Sequence, residues 1–286
     1  MHGAKEAAMR YKRGGSILAF SVIILLIFPA NSFSSGHGRL YIVGMGPAFP
    51  DLLTLRAVRV INEADVLICA KDIEERFPGQ VKGKSILLDP LEYLQRYHGK
   101  YSWELPEEER KRWEGQLTVK REKAVGLIRK EIEKGRTVAY LDYGDPCIYG
   151  ISGWLVRGGY FDKDEIEVVP GISFFNAASA LLKRGIACNG SIILTCPKGL
   201  RGGGLQKGMM KEGATTIIFM GLRKTGGVLE GLREFYPAET PVAVVYEAGY
   251  QGKEKIVEGY LSDIQEKIKD EKEKHLGLIY IGPALR

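Results

Sequence analysis

Short apolar runs of strand-like composition alternate along the chain with segments whose apolar residues recur at helical spacing. Ten runs are predicted strands: 39–43, 66–69, 85–89, 137–141, 165–169, 191–196, 215–220, 241–246, 255–259 and 276–281. The main predicted helices are 113–134, 151–156, 173–182, 205–211, 226–235 and 262–269. This alternation predicts an α/β fold with parallel strands and with helices on both sheet faces. A change in segment content near residue 186 divides the alternation into two halves.

The N-terminal segment has a different pattern. Basic residues precede an apolar run at 17–28, and mostly small residues follow it, which is typical of a secretory signal peptide. The run is short for a membrane span of about 20 residues, so membrane contact through 17–28 as an anchor is the alternative. Basic residues before it predict that the rest of the chain is exported, whereas a true start further downstream would leave it cytoplasmic. We therefore divide the chain into 1–36 (signal or anchor and joint), 37–186 and 187–286.

Charge and cysteine content narrow the classes of function. The formal net charge is +6, and four basic residues against one acidic residue place half of it in the first thirteen positions. The remainder is only mildly basic, which argues against a nucleic-acid partner. The cysteines form no CxxC pair and have no histidine at zinc-ligand spacing, so no metal site is predicted.

The strand predicted at 137–141 ends abruptly at Gly144-Asp145-Pro146. Ligands of open α/β sheets bind beyond the carboxyl ends of strands, which would put Asp145 at a ligand crevice. The alternative is a turn that Asp145 merely caps. The glycine turn at 44–47 also follows a strand, but Phe49 stands where a dinucleotide-binding GxGxxG motif needs its third glycine.

Six segments occur together in one order between residues 39 and 285: RLYIVGMGPAFPDLLTLRAVRVINEADVLI, GDPCIYG, EVVPGISFFNAASALLKRGI, TTIIFMGL, PVAVVYEAGYQGKEKIVEGYLSDI and LIYIGPAL. In this combination the chain resembles the tetrapyrrole methylase family. The resemblance implies two α/β domains with a cleft between them that holds S-adenosyl-L-methionine (SAM) and a tetrapyrrole substrate. It also implies methylation of a ring carbon of uroporphyrinogen or a precorrin, and a homodimer.

The resemblance carries over to particular residues. Implied cofactor-binding residues are Pro47, Tyr143, Gly144, Asp145, Ile148, Ser173, Phe174, Met220, Ala248 and Gly249. Ile148 and Met220 would be core residues in any α/β sheet. Basic residues that could bind the carboxylates of a tetrapyrrole are Lys198, Arg201 and Arg223.

One loop departs from the family pattern. The family's first loop usually reads GxGPGD, and its carboxylate, which is suggested as the proton acceptor in the uroporphyrinogen members, is replaced here by Phe49. Lys71 occupies the place of a basic residue and is the predicted catalytic residue, although it also fits a solvated surface lysine. The chain therefore uses another base, releases the proton to water, or does not catalyse that reaction.

Two functions and several subgroups stay open. The first function is a SAM-dependent methyltransferase, and the second is an exported non-catalytic binding protein with the same fold. The segments SIILTCPKG and ETPVAVVYEAGYQGKEKIVEGYL are more similar to precorrin-4 C11-methyltransferases, whereas GRTVAYLDYGDPCIY is also similar to precorrin-2 C20-methyltransferases. Relatives with this fold that methylate peptide amides show that fold alone does not set the substrate.

Overall fold

A computed structural model describes residues 38–187, 190–201 and 204–286, without the side chains of 201–206. The predicted signal or anchor segment, 1–36, and the side chain of Arg201 lie outside this described part. Within it, no helix has both the length and the apolar character needed to cross a membrane.

The helices and strands follow the predicted order. The strands are β1 (Leu40–Gly44), β2 (Val66–Ile68), β3 (Ser85–Leu88), β4 (Arg96–Tyr97), β5 (Lys100–Tyr101), β6 (Val138–Asp142), β7 (Ile166–Val169), β8 (Ile192–Thr195), β9 (Thr215–Phe219), β10 (Pro241–Tyr246), β11 (Lys255–Tyr260) and β12 (Gly277–Ile281). The helices are α1 (Leu55–Glu63), α2 (Lys71–Arg76), α3 (Pro78–Val81), α4 (Glu107–Glu133), α5 (Gly153–Arg157), α6 (Phe174–Leu182), α7 (Gly204–Lys211), α8 (Thr225–Leu232) and α9 (Ile264–Lys267).

The first sheet has five strands in the order β3-β2-β6-β1-β7, and every pair is parallel. Its central strands β1 and β6 are buried along their whole length. One face packs against α1, and the other packs against α4. The predicted parallel, doubly covered sheet is confirmed for this half of the chain, because strands buried on both faces read as continuous apolar runs.

The second sheet, in the order β11-β10-β12-β9-β8, is mixed. Only β8 and β9 pair in parallel, whereas β10 is antiparallel to both β11 and β12. The prediction of parallel strands is therefore wrong here. The connection between β10 and β11 is shorter than the roughly one dozen residues of a crossover, so β11 has to turn back beside its neighbour.

Two further elements differ from the prediction. The segment 91–112, for which no helix or strand is predicted, contains the β4–β5 hairpin. Helix α4 also begins at Glu107 rather than at 113. Three glutamates in its first turn explain the earlier start, because negative charge at a helix N-terminus interacts favourably with the helix dipole.

Three loops meet where β1, β6 and β7 end. Gly46 and Gly144 form a bridge in which Gly144 N donates to Gly46 O over 2.9 Å. The third loop reaches the same point at Gly171, where an added Cβ would lie 2.1 Å from Gly144 O and 2.8 Å from Gly44 Cα. Only a residue without a side chain allows the three backbones to come this close.

Gly171→Ala should lower the free energy of unfolding by about 3 kcal/mol, because the added methyl group can only be accommodated by moving backbone. Urea denaturation would measure the change. Gly79→Ala is the matched control, since a Cβ there meets no atom within 4 Å. Equal unfolding midpoints for the two variants would contradict the close approach.

Candidate functional site

A cavity of about 390 Å³ opens beyond the strand ends of both sheets. The first half lines it with Asp72 from α2, the end of β6 with the loop that follows, and Phe174 from α6. The second half contributes residues that follow β9 and β10 and residues at the start of β12. Because β12 runs antiparallel to β9 and β10, its first residues lie beside their last ones. Both halves thus contribute irregular backbone to one space.

A buried carboxylate shapes the loop after β6. Asp142 is fully buried and accepts hydrogen bonds from the backbone N–H groups of Tyr143 (2.7 Å), Ile151 (3.2 Å) and Ser152 (2.8 Å), and from the Ser152 hydroxyl. Burial raises the pKa of the Asp142 carboxyl above its usual range, and the hydrogen bonds from Ser152 oppose that shift. One side chain therefore ties the start of the loop to its end.

Asp145, in the middle of this loop, makes two contacts. Its carboxylate accepts from Cys147 N over 2.8 Å, which is the turn-capping role, and from Gly171 N over 3.2 Å. The second contact joins the loop after β6 to the loop after β7. Asp145 therefore caps a turn, as the alternative interpretation predicted, while the following residues Ile148 and Tyr149 line the cavity. The position of Asp145 at a ligand crevice stays a prediction.

A charged and aromatic group, here called the Arg76 cluster, borders the cavity. Arg76 donates to Asp72 (3.0 Å), to the backbone oxygen of Ala48 (3.0 Å) and to the Tyr250 hydroxyl (3.1 Å). The Tyr143 hydroxyl donates to the other oxygen of Asp72. Burial, and then the charge of Asp72, raise the pKa of Tyr143 well above its usual range, so its hydroxyl stays a donor. The cluster links the first loop, α2, the loop after β6 and the loop after β10.

Three residues of the cavity wall have left-handed backbone: Tyr149 (φ 57°), Met220 (φ 56°) and Glu247 (φ 48°). Residues other than glycine adopt this left-handed backbone region at a cost of about 1–3 kcal/mol, and they do so where the surrounding structure imposes it. Such strain concentrates at ligand sites. Its occurrence three times around one cavity supports a binding role for that cavity.

Several predicted cofactor residues come together here. Tyr143, Ile148, Phe174, Met220 and Ala248 line the cavity. The other predicted ones lie in the adjoining loops, namely Pro47, Gly144, Asp145, Ser173 and Gly249. A Cβ on Gly249 would lie 3.3 Å from Pro47, so the first loop and the loop after β10 touch. The Ser173 hydroxyl is buried without a hydrogen-bond partner among the described residues.

The predicted basic residues lie further out. Lys71 begins α2 with an exposed side chain and is not part of the cavity wall. Lys198 is exposed in the loop after β8, and Arg223 is exposed in the turn before α8. Six ionisable wall residues were not among the predicted site residues, namely Asp72, Asp142, Tyr149, Glu247, Tyr250 and His275. Their proximity depends on the meeting of the two sheets, which no local pattern encodes.

Two α/β halves with a cavity at their strand ends form the architecture that the sequence resemblance implied. The chain belongs to the tetrapyrrole (corrin/porphyrin) methylase family, whose profile matches residues 39–265. The resemblance inferred from the six sequence segments is thereby confirmed.

Individual relatives agree with this assignment. The chain is 32% identical over 255 residues to a cobalt-precorrin-4 C(11)-methyltransferase of Methanocaldococcus jannaschii, covering 86% of this chain and 88% of the relative. It is 27% identical over 261 residues to a SAM-dependent uroporphyrinogen III methyltransferase of Methanosarcina barkeri, covering 88% and 94%.

Solved structures show the same fold. A cobalt precorrin-4 methyltransferase matches with a TM-score of 0.67 at 24% identity, covering 88% of this chain and 98% of the other. A uroporphyrin-III C-methyltransferase from Thermus thermophilus, solved with S-adenosylhomocysteine, matches with a TM-score of 0.59 at 23% identity, covering 87% and 99%.

Ser152→Ala should destabilise the protein by about 2 kcal/mol at pH 7, because a buried carboxylate loses a donor. Ser173→Ala is the matched control: its hydroxyl is also buried but makes no hydrogen bond to the described residues, so its loss should not lower stability. Chemical denaturation of both variants would measure the difference.

The same variant has a pH dependence of defined sign. The folded pKa of Asp142 lies above its unfolded value, so as the pH falls the folded protein binds the proton first and regains the stability lost by burying the charge. Protonation also weakens the hydrogen bonds that the ionised Asp142 carboxylate accepts from Ser152. The stability gap between wild type and Ser152→Ala should therefore narrow as the pH falls through the folded pKa, and a constant gap would contradict the role assigned to Asp142.

Proposed function

We propose that this protein transfers a methyl group from SAM to a ring carbon of a tetrapyrrole, with a precorrin-4-like intermediate as the favoured substrate. The observation that carries the proposal is that five of the residues expected to bind the cofactor line one cavity. Similarity to a cobalt-precorrin-4 C(11)-methyltransferase over most of both chains supports the choice of substrate.

The cavity suits SAM in size and chemistry. A volume of about 390 Å³ lies within the range of about 300–1,000 Å³ that is usual for small-molecule sites. Apolar and aromatic side chains form most of its wall, as in sites where a few polar groups set the orientation. The unpaired Ser173 hydroxyl is a polar group for which the described protein atoms provide no partner.

The chain's own residues would mainly position the reactants. Bound SAM supplies a methyl group already activated by its sulfonium. Tyr143, Ile148, Phe174, Met220 and Ala248 would hold the cofactor in the wall, with Pro47, Gly144, Asp145, Ser173 and Gly249 in the loops behind them. Alignment of a ring carbon with the methyl group and exclusion of water are the contributions such a wall makes.

The base of the reaction is a separate question. Phe49 packs its ring against Tyr250 with 5.7 Å between centroids and has no group that accepts a proton. Lys71 stays a prediction for this role. It is exposed, and the next residue, Asp72, belongs to the cavity wall.

An alternating strip of cations and rings supports a tetrapyrrole as the acceptor. The Arg223 guanidinium lies 4.9 Å from the centre of the Trp103 ring. Trp103 stacks on Tyr101 with 4.4 Å between the ring centroids, and the Arg96 guanidinium lies 4.4 Å from the centre of the Tyr101 ring. Trp103 also neighbours His275 in the cavity wall. Ring faces and guanidinium groups at the cavity margin match a large ring that bears carboxylates. Lys198 and Arg201 remain further proposed carboxylate partners.

We also propose the domain division 37–186 and 187–286, and a homodimer. The separate strand sets of the two sheets support the first, and the family resemblance supports the second. Export of the chain rests on residues 1–36 alone and stays a prediction.

Calorimetry of the full chain with SAM tests the proposal against the non-catalytic alternative. We expect saturable binding, weakened about tenfold by Met220→Ala, since a wall contact of about 1.4 kcal/mol is lost. Leu55→Ala is the control, because Leu55 is exposed on α1 outside the cavity. Absence of SAM binding would favour the non-catalytic carrier.

Tryptophan fluorescence tests the acceptor site without SAM. Uroporphyrin, a stable oxidised tetrapyrrole with several carboxylates, should quench Trp103, which is 40% exposed, far more than Trp113 and Trp154, which are 8% and 9% exposed. Quenching should largely disappear in Trp103→Phe, and Arg223→Ala should weaken binding about tenfold.

Arg233→Ala is the matched control for the charge change, because Arg233 is exposed in the same half and lies outside the strip. Full quenching in Trp103→Phe, or equal binding by Arg223→Ala and Arg233→Ala, would remove the strip as a substrate site.

A further inference from the structure

The cavity wall carries acidic side chains, and within the described chain no lysine or arginine lines it. Two of the three carboxylates are already engaged: Asp72 with Arg76 and Tyr143, and Asp142 with its own loop. The carboxylate of the third, Glu247, makes no ion pair or hydrogen bond with any described residue. Among the described wall carboxylates, Glu247 is therefore the one that no hydrogen bond or ion pair engages.

The backbone holds Glu247 firmly in an unfavourable conformation. Its N–H donates to Leu276 O over 2.7 Å, and its carbonyl accepts from Tyr250 N over 2.9 Å, while φ is 48°. Glycine adopts this conformation without strain. Backbone geometry thus gives no reason for a glutamate here, and the carboxylate needs another explanation.

The chemistry of the methyl donor explains the Glu247 carboxylate, if the protein has the function proposed above. SAM and its product S-adenosylhomocysteine share the adenosine, ammonium and carboxylate groups. They differ in the methyl group and in the positive charge on sulfur. A carboxylate in a walled cavity attracts that extra charge and leaves the neutral thioether unaffected, because opposite charges interact more strongly away from bulk water.

We propose that Glu247 is a specificity-determining residue that biases the cavity toward the charged methyl donor and against the neutral product. After methyl transfer the sulfur has lost its charge, so the attraction that helped to bind the donor no longer holds the product. Glu247 in this way favours exchange of product for fresh donor.

The test is the ratio of the two dissociation constants, Kd of S-adenosylhomocysteine over Kd of SAM, measured by calorimetry without substrate. The shared groups cancel in this ratio, which leaves the effect of the sulfonium charge. Glu247→Gln keeps the size of the side chain and should lower the ratio about tenfold. Glu247→Gly removes the same charge and relieves the backbone, so it should fold well and lower the ratio similarly.

Glu239→Gln is the charge-matched control, since Glu239 is exposed in the same half and outside the cavity, and its ratio should equal that of the wild type. Binding of both ligands with an unchanged ratio in both Glu247 variants would overturn the inference and leave the proposed function standing. Failure of the wild type to bind either ligand would overturn both.

Discussion

The site depends on one buried charge. Asp142 ends the central strand β6, is fully buried, and satisfies its carboxylate with donors from both ends of the loop that follows. A buried carboxylate without such donors would cost several kcal/mol, so the loop has to close around it. The closed loop then presents Tyr143, Ile148 and Tyr149 to the cavity. The buried Asp142 carboxylate thus fixes the conformation of the loop after β6, and this loop forms part of the cavity wall.

Other residues in and beside the cavity wall adopt locally unfavourable states. Tyr149, Met220 and Glu247 adopt left-handed backbone, and the Ser173 hydroxyl is buried without a described partner. Each of these features lowers stability, and the two extensively buried sheets compensate for them. A rigid α/β frame therefore supports a cavity whose individual residues are not in their preferred states. This distribution is expected of a protein whose loops serve ligand binding.

Much of the fold could be predicted from the sequence, because buried strands leave continuous apolar runs. All ten predicted strands exist, and the parallel order of the first half follows from its intervening helices. Direction in the second sheet was predicted wrongly, since the short β10–β11 connection forces a reversal that apolar content does not reveal. The family resemblance identified the wall residues Phe174, Met220 and Ala248. It could not identify Asp72, Glu247 and His275, whose roles arise from contacts between distant segments.

Phe49, the residue that departs from the expected family pattern, is connected in space to the residues that border the cavity. Phe49, in place of a carboxylate, packs on Tyr250, whose hydroxyl receives a hydrogen bond from Arg76. Arg76 also pairs with Asp72, which accepts a hydrogen bond from Tyr143, the residue before Gly144-Asp145.

Because these residues share one network, Phe49 is not isolated from the other residues that border the cavity. An aspartate at position 49 would lack the ring that packs on Tyr250, and it would add a carboxylate beside a network in which Arg76 already pairs with Asp72. The first loop and the loop after β10 are therefore in direct contact, so that a substitution at position 49 changes the surroundings of Tyr250 as well.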